Sequence, residues 1–227
     1  MNVHIVESVL KLNDDVALSN RKTLRELGIF TIDLIGGPGC GKTLLIERTL
    51  LALRKVMKIA VIVGDLTTAR DAERIGAVCS QVVQINTGKG CHLEAHQVRH
   101  AMDRINLIGL DLLIIENVGN LVCPVGFDLG QDMKVGMFAT TEGHDKPAKY
   151  PQLVTTANLL LLNKMDLLSY VNFDLCQWHR DVSRLNPNVP VIECSAYATD
   201  LAPWLTWLRQ RVEAQSSRRP SRSVAAT

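Results

Sequence analysis

The sequence lacks the features of a membrane or exported protein. No apolar run approaches the roughly 20 residues that a helix needs to cross a bilayer. The first 15 residues lack a basic segment followed by an apolar block. We therefore expect a cytoplasmic protein with no membrane partner.

Aromatic residues and excess positive charge are also scarce. Phe, Trp and Tyr make up 4% of the 227 residues, and the formal net charge is +2. Binding to nucleic acid uses basic surfaces and stacking aromatics, so we expect no nucleic-acid partner. Six cysteines in a chain of this length, without export features, indicate reduced thiols, core residues or metal ligands rather than a disulfide framework.

The chain divides into a helical start, one large domain and a short tail. In residues 1–28, apolar side chains at helical spacing predict a first helix, and Ser19 then predicts the cap of a second helix at residues 21–27. Residues 29–214 are predicted to form the domain, for which 47% hydrophobic residues supply a core. Residues 215–227, rich in Ser and Arg, are predicted to be disordered.

Short apolar runs alternate with helical patterns along the domain, which indicates an α/β fold with a mostly parallel sheet of roughly seven strands flanked by helices. The predicted strands are residues 30–35, 58–63, 82–86, 111–116, 137–140, 158–163 and 189–194. The predicted helices of the domain are residues 44–56, 67–77, 92–106, 173–185 and 201–214. Ligands of such sheets bind at the carboxyl ends of the strands.

The most specific motif directly follows the first predicted strand. Residues 36–43 read Gly-Gly-Pro-Gly-Cys-Gly-Lys-Thr and match the P-loop pattern. Its backbone N–H groups would cradle phosphates, with Lys42 supplying a cation and the Thr43 hydroxyl a Mg²⁺ ligand. The predicted phosphate-binding residues are Gly36, Gly37, Gly39, Cys40, Gly41, Lys42, Thr43 and Leu44. We expect Cys40, near a helix N-terminus, to be readily oxidised or alkylated.

A second motif selects the base. Asn163-Lys164-Met165-Asp166 ends a buried strand, and an ionised Asp166 can accept hydrogen bonds from N1–H and the exocyclic amine of guanine, which adenine does not offer. We expect Asn163 to tie this loop to the phosphate loop, Lys164 to lie along the purine, and Ser195-Ala196 to offer a backbone N–H to the base. GTP is therefore the predicted ligand.

Two carboxylates follow other strands at the same edge of the sheet. Asp65 and Glu116 are candidates for the Mg²⁺ and γ-phosphate region, with Asp65 the stronger Mg²⁺ candidate beside Thr43; either one could instead cap a helix. Gly119, three residues after Glu116, is placed to sense the γ-phosphate through its N–H. Lys42, Thr43, Asp65, Glu116 and Gly119 form the predicted catalytic set.

Soft metal ligands lie near this sensor segment. Cys91-His92 is predicted to open a helix, which would lower the thiol pKa, and Cys123 follows Gly119 by four residues. Such ligands suit Zn²⁺, Ni²⁺ or Cu(I), although the spacing alone fits core packing better. His92, His96 and His100 recur every fourth residue and could line one helical face, where a solvated stripe is the simpler explanation. Cys79, Cys176 and Cys194 are predicted to be core or near-core residues.

Together these motifs resemble the HypB family of GTPases, which insert nickel during [NiFe]-hydrogenase maturation. The resemblance covers residues 20–208 and is carried by residues 63–66, 90–95, 116–124 and 142–151, in addition to the P-loop. The related UreG GTPases of urease are similar in fold but carry Cys-Pro-His and a different glycine-rich switch, so Cys91-His92 and Asn117-Val118-Gly119-Asn120 favour the hydrogenase branch.

The resemblance implies a P-loop NTPase of the SIMIBI class, with GTP or GDP and Mg²⁺ as ligands. It implies a homodimer that forms on GTP binding, with Cys91, His92 and Cys123 of each subunit holding Ni²⁺ or Zn²⁺ at the interface. It also implies two partners, a HypA-like metallochaperone and the hydrogenase large-subunit precursor. Because no glutamine is evidently placed to orient water, we expect slow intrinsic turnover, with Lys146 or Lys149 as groups that dimerisation could supply. A carrier that uses GTP only as a structural ligand is the alternative.

Overall fold

The computed structural model describes residues 9–66, 70–198 and 201–217, and side chains from residue 11 onward within these ranges. Its strands are β1 Phe30–Gly36, β2 Ile59–Asp65, β3 Val82–Asn86, β4 Leu112–Glu116, β5 Met133–Ala139, β6 Leu159–Asn163 and β7 Val191–Glu193. Its α-helices are α1 Val9–Glu26, α2 Lys42–Leu53, α3 Arg70–Gly76, α4 Ala95–Met102, α5 Lys146–Lys149, α6 Pro151–Thr156, α7 Leu175–Leu185 and α8 Ala202–Ser216. None of the helices in these ranges is both long and apolar enough to cross a membrane.

The seven strands form one sheet in the order β3-β2-β4-β1-β5-β6-β7, and every pairing is parallel. Strand β1, which leads into the P-loop, is therefore central, between β4 and β5. All residues of β1, β4 and β6 are buried, as expected for parallel strands covered on both faces. The predicted α/β fold with a seven-stranded parallel sheet flanked by helices is confirmed.

Helices cover both faces of the sheet. On one face α2, α3 and α8 pack on the sheet through Leu45, Ile75 and Trp204. On the other face α1 and α4 lie over one half through Leu24 and Val98, whereas α6 and α7 lie over the other half through residues that include Trp178. The carboxyl ends of the central strands remain open between these layers, where a ligand of such a sheet binds.

The N-terminal segment forms one helix where the sequence predicts two. Helix α1 runs through Ser19 without a break, so Ser19 does not cap a second helix. Neither Gly nor Pro interrupts this segment, and contacts with the rest of the domain hold it: Asn20 Nδ2 donates to the carbonyl oxygens of Ala95 and Leu129 at 2.9 and 3.1 Å. Residues 1–8, the start of the first predicted helix, lie outside the described residues.

Other boundaries also differ from prediction. Strand β5 begins at Met133, whereas residue 137 was predicted. The prediction missed the first half of the strand because Lys134 and Gly136 interrupt its apolar pattern. Thr140, predicted to end the strand, belongs to a 3₁₀ helix, Thr140–Glu142. Helices α5 and α6 have no counterpart among the predictions. Helix α8 includes Gln215 and Ser216, so the predicted disordered tail does not begin at 215. Residues 218–227 of that tail, and residues 67–69 of a predicted helix, lie outside the described ranges.

Candidate functional site

The P-loop lies between the end of β1 and the start of α2. Gly39 and Gly41 have φ angles of 75° and 104°, which L-residues with a Cβ rarely adopt. A Cβ on Gly41 would also lie 2.5 Å from Asn163 Nδ2. Lys42, only 7% exposed, donates from Nζ to the carbonyl oxygens of Gly36 and Gly37 at 3.1 and 3.2 Å. These contacts hold the ammonium group over the cradle.

A cavity of about 330 Å³ opens next to this loop. Residues predicted for nucleotide binding and catalysis line it together: Gly39, Gly41, Lys42, Thr43, Leu44, Asp65, Glu116 and Gly119. Asp71 and Arg74 of α3 also line it, although sequence reasoning did not select them, because their helix lies after β2 and carries no motif. Arg74 pairs with Glu47 at 2.9 Å.

The carboxylate in contact with Thr43 is Glu116, whereas the sequence ranked Asp65 first for Mg²⁺. The Thr43 hydroxyl donates to Glu116 Oε1 at 2.8 Å, and Glu116 Oε2 is buried without a hydrogen-bond partner. Burial raises the pKa of Glu116 to about 7, against the lowering effects of nearby Lys42 and of the Thr43 hydrogen bond. Asp65 lines the same cavity, and its Oδ1 accepts from the Leu66 N–H at 2.6 Å. An incompletely bonded carboxylate beside a hydroxyl fits a hard cation such as Mg²⁺.

Gly119 lies directly against the P-loop. A Cβ at this position would lie 3.2 Å from Pro38 Cα, closer than most side chains allow. The segment that begins at Glu116 therefore touches the phosphate cradle at two points, through the Thr43 hydroxyl and through Pro38.

The base-selecting motif contacts the P-loop as predicted. Asn163 Nδ2 donates to the Cys40 carbonyl oxygen at 2.8 Å. The Ala196 N–H donates to Asn163 Oδ1 at 2.9 Å, so this N–H is already engaged with the motif rather than free for guanine. The Ser195 hydroxyl donates to Asp166 Oδ1. Lys164 has a left-handed backbone, with φ of 62°, and its carbonyl oxygen accepts from the Thr140 hydroxyl at 2.7 Å.

Cys40 is not the reactive thiol that its position in the loop predicts. Its side chain is fully buried, and burial raises the pKa of the thiol to about 11. A Cβ on Gly36 would lie 2.7 Å from Cys40 Sγ, so the sulfur packs under the loop. Cys176 differs from prediction in the other direction: it is exposed on α7, whereas Cys194 is buried and Cys79 partly buried.

Cys91, His92 and Cys123 come together as one cluster. One ligand atom from each lies within 4.8 Å of the other two, and Cys91 Sγ is 3.6 Å from His92 Nδ1. The His92 ring stacks on Phe127 with 3.9 Å between centroids, and its Nε2 is buried without a hydrogen-bond partner. Two thiols and one imidazole at this spacing fit a soft or borderline metal ion.

The electrostatics and the helix position differ from the prediction for this cluster. Helix α4 begins at Ala95, so Cys91 and His92 lie in the loop before it. The hydrogen bond and charge of neighbouring Cys123 hold the pKa of Cys91 above its usual value, whereas a helix start was predicted to lower it. His92 therefore does not share a helical face with His96 and His100, whose rings lie 6.2 Å apart on α4.

Glu142 is a partly buried carboxylate at the P-loop that sequence reasoning did not select as a site residue. Its Oε2 accepts from the Ala139 N–H at 2.8 Å, and its Oε1 occupies the space that a Cβ on Gly37 would need. Burial raises the pKa of Glu142. Its sequence signals are its place after the apolar end of β5 and its position at the start of residues 142–151, which carry the family resemblance.

Comparisons with known proteins identify the family of this chain. Residues 31–193 match the family model described as CobW/HypB/UreG, nucleotide-binding domain. The chain is 46% identical over 211 residues to the hydrogenase maturation factor HypB of Azotobacter vinelandii, which covers 92% of this chain and 70% of that protein. This chain belongs to the HypB family. The resemblance noted from the motifs, and the choice of HypB over UreG, are thereby confirmed.

Two solved HypB structures share the fold along most of the chain. HypB from Helicobacter pylori, in complex with nickel, superposes with a TM-score of 0.85 at 32% identity and covers 93% of this chain and 99% of its own. HypB from Archaeoglobus fulgidus superposes with a TM-score of 0.84 at 38% identity, over 89% of this chain and 100% of its own. The nucleotide-binding P-loop domain of this chain thus shares the HypB fold over most of its length.

Proposed function

We propose that this protein is a GTP-hydrolysing metallochaperone that delivers nickel during [NiFe]-hydrogenase maturation, with GTP-dependent dimerisation gating a metal site at the subunit interface. The main observation behind this proposal is that one short segment has the phosphate cavity at one end and the metal cluster at the other. Glu116 lies in the phosphate cavity, and Cys123, seven residues later, belongs to the metal cluster. The HypB relatives support the maturation role, and the nickel complex of the Helicobacter pylori protein supports nickel as the cargo.

The nucleotide site supports hydrolysis of GTP to GDP and phosphate. Lys42 and the P-loop N–H groups stabilise charge on the phosphates as water attacks in line. Thr43 with Glu116 and Asp65 would hold Mg²⁺, which neutralises phosphate charge when bound. Among the described residues that line the cavity, none is Gln, so no glutamine is placed there to orient the attacking water, and we expect slow intrinsic turnover. Lys146 and Lys149 are candidates for a group supplied across a dimer.

Base selectivity gives a direct prediction. Asp166→Asn is expected to lower GDP affinity about 10²–10⁴-fold, because two charge-assisted hydrogen bonds of roughly 1.5–3 kcal/mol each are lost. Affinity for xanthosine diphosphate rises, since the asparagine amide can donate to the 2-oxo group of xanthine. Competition against a fluorescent nucleotide measures both constants. Asp103→Asn, on an exposed carboxylate after α4, is the control, and an unchanged preference for guanine in Asp166→Asn contradicts the assignment.

The metal cluster supports a site shared between two subunits. Cys91, His92 and Cys123 supply three ligands, one fewer than a closed tetrahedral site needs. A second copy related by a two-fold axis would bring a matching set. Ni²⁺ or Zn²⁺ would be passed from a HypA-like metallochaperone to the hydrogenase large-subunit precursor as the nucleotide state changes.

The wild-type protein tests this function without mutation. Ni²⁺ and Zn²⁺ affinities are measured with no nucleotide, with GDP and with a non-hydrolysable GTP analogue, while light scattering reports the mass. We expect the GTP analogue and Mg²⁺ to produce a dimer and to change metal affinity by 5-fold to 150-fold relative to GDP, the usual range of coupling between sites. Metal binding that is indifferent to nucleotide, in a protein that stays monomeric, would leave a GTPase without the delivery role.

A further inference from the structure

Two asparagine side chains attach the sensor segment, residues 116–123, to the loop that carries Cys91 and His92. Asn117 Oδ1 accepts from the Leu93 N–H at 3.3 Å and from the Val118 N–H at 3.0 Å. Asn120 Nδ2 donates to the Cys91 carbonyl oxygen at 3.2 Å. The backbone on both sides of His92 is therefore bonded to the segment that ends at Cys123.

Asn117 is itself fixed from below by a buried carboxylate. Its Nδ2 donates to Asp33 Oδ1 at 2.9 Å, and its backbone N–H donates to the Leu34 carbonyl oxygen at 3.1 Å. Asp33 is fully buried in β1, three residues before the P-loop begins. Burial raises the pKa of Asp33 to about 7, with the Asn117 hydrogen bond opposing the shift. A carboxyl group in such a position destabilises a core unless it is bonded, and the bond between Asp33 Oδ1 and Asn117 Nδ2 holds both side chains in place.

The same carboxamide is close to the phosphate contacts. Asn117 is flanked by Glu116, which contacts Thr43, and is followed two residues later by Gly119, which lies against Pro38. The Leu93 side chain packs so closely on β2 that a Cβ on Gly64 would lie 2.8 Å from it. Leu93 thus contacts the phosphate-site strand through its side chain and Asn117 through its N–H. A shift of the sensor segment at the phosphate end cannot leave the Leu93 bond unchanged.

We infer that Asn117 is a positioning residue that couples the phosphate site to the metal cluster, with Asn120 as the second attachment. Its carboxamide holds the Leu93 N–H at a fixed place relative to Glu116, and so sets where His92 stands relative to Cys123. This inference rests on the proposed function, because it names the contact through which nucleotide state reaches the metal ligands. Coupling between two binding sites is reciprocal, so the contact transmits in both directions.

The test compares the ratio of Ni²⁺ dissociation constants with GDP and with a non-hydrolysable GTP analogue. Competition with a chromophoric chelator measures each constant, at nucleotide concentrations that titration shows to be saturating for each variant. We expect the ratio in Asn117→Ala to lie at least about 5-fold closer to one than the wild-type ratio. If the wild-type ratio is itself only about 5-fold, the weak end of the usual range, we expect the variant to have a ratio of one. We expect Asn120→Ala to move the ratio in the same direction by less. Asn186→Ala is the matched control and should keep the wild-type ratio. Asn186 lies directly after α7, and its side-chain amide donates to the carbonyl oxygen of Val154 in α6 at 3.1 Å.

Circular dichroism and thermal melts identify a variant that fails to fold. Asn117→Ala leaves the Leu93 N–H and Asp33 without their partner. Where it does not fold, Asn120→Ala decides, since it removes only the partly buried bond to Cys91 and an exposed bond from the Val122 N–H. If the wild-type ratio differs from one and the folded variants keep the same ratio, this inference is overturned and the proposed function stands. A wild-type ratio of one overturns both. Equal loss of coupling in Asn186→Ala also overturns the inference, because the effect would then be general destabilisation.

Discussion

Lys42→Ala is expected to lower GTP turnover by about 10²–10³-fold, the usual effect of removing one group that stabilises transition-state charge. Lys42 Nζ is held at the cradle by the carbonyl oxygens of Gly36 and Gly37, and the side chain is 7% exposed. Its ammonium group is therefore fixed in place before the nucleotide binds. No other described lysine or arginine bonds to these two carbonyl groups. Phosphate release at saturating GTP measures turnover, and nucleotide titration measures affinity separately.

The same variant separates the enzyme from the alternative carrier. Lys22→Ala is the control, because Lys22 is an exposed residue of α1 whose ion pair with Glu26 spans 4.0 Å. If delivery of nickel to the precursor is lost together with turnover while metal binding persists, hydrolysis drives delivery. If turnover is lost but nickel delivery stays near normal, GTP is only a structural ligand, and the alternative hypothesis of a metal carrier is supported. Unchanged turnover would contradict the assignment of Lys42.

The arrangement of the sheet is predictable because it depends on local patterns. Strands buried on both faces, such as β4 and β6, need continuous apolar runs, and these runs are visible in Leu112–Glu116 and Leu159–Asn163. In a parallel sheet every such run ends at the same edge, so motifs that follow strands converge there. The meeting of Lys42, Glu116 and Asn163 at one edge follows from their places in the chain.

The elements that sequence reasoning missed depend on contacts between distant residues. The continuity of α1 through Ser19 goes with bonds from Asn20 to Ala95 and Leu129, which no local pattern indicates. The start of β5 is concealed by Gly136, whose lack of a side chain admits Leu160: a Cβ there would lie 2.8 Å from Leu160 Cδ2. Propensity is a weak guide where packing decides.

The site shows the same division. The spacing of Cys91, His92 and Cys123 alone did not indicate a metal site, and it was the family resemblance that predicted one. The structure brings the ligand atoms of these residues together. Which carboxylate touches Thr43 is different, because the choice of Glu116 over Asp65 depends on side-chain reach within the folded cavity. The role of Asn117 was equally hidden, since Asp33 and Leu93, two of its partners, are distant in sequence.

Cys91→Ala is expected to lower Ni²⁺ affinity by more than the 10–100-fold that loss of an outer-shell partner of a metal site costs, because it removes a ligand itself. Neighbouring Cys123 holds the pKa of the Cys91 thiol above its usual value, and metal ions bind the thiolate. Wild-type nickel affinity therefore rises with pH through neutrality, as each step up in pH lowers the cost of removing that proton. Thiolate-to-metal charge-transfer absorption and chelator competition, repeated across pH, measure both effects.

Cys176→Ala supplies the matched control for the thiol. Cys176 is exposed on α7 and is not part of the three-residue cluster, so its loss should change neither the affinity nor its pH dependence. Cys123→Ala should weaken nickel binding as Cys91→Ala does, and should also flatten the pH dependence, because metal binding then displaces one thiol proton fewer. A Cys91→Ala protein that binds nickel as tightly as the wild type would move the metal site away from this cluster. The segment from Glu116 to Cys123 would then connect the phosphate cavity to no metal, and the gating argument would fail at its first step.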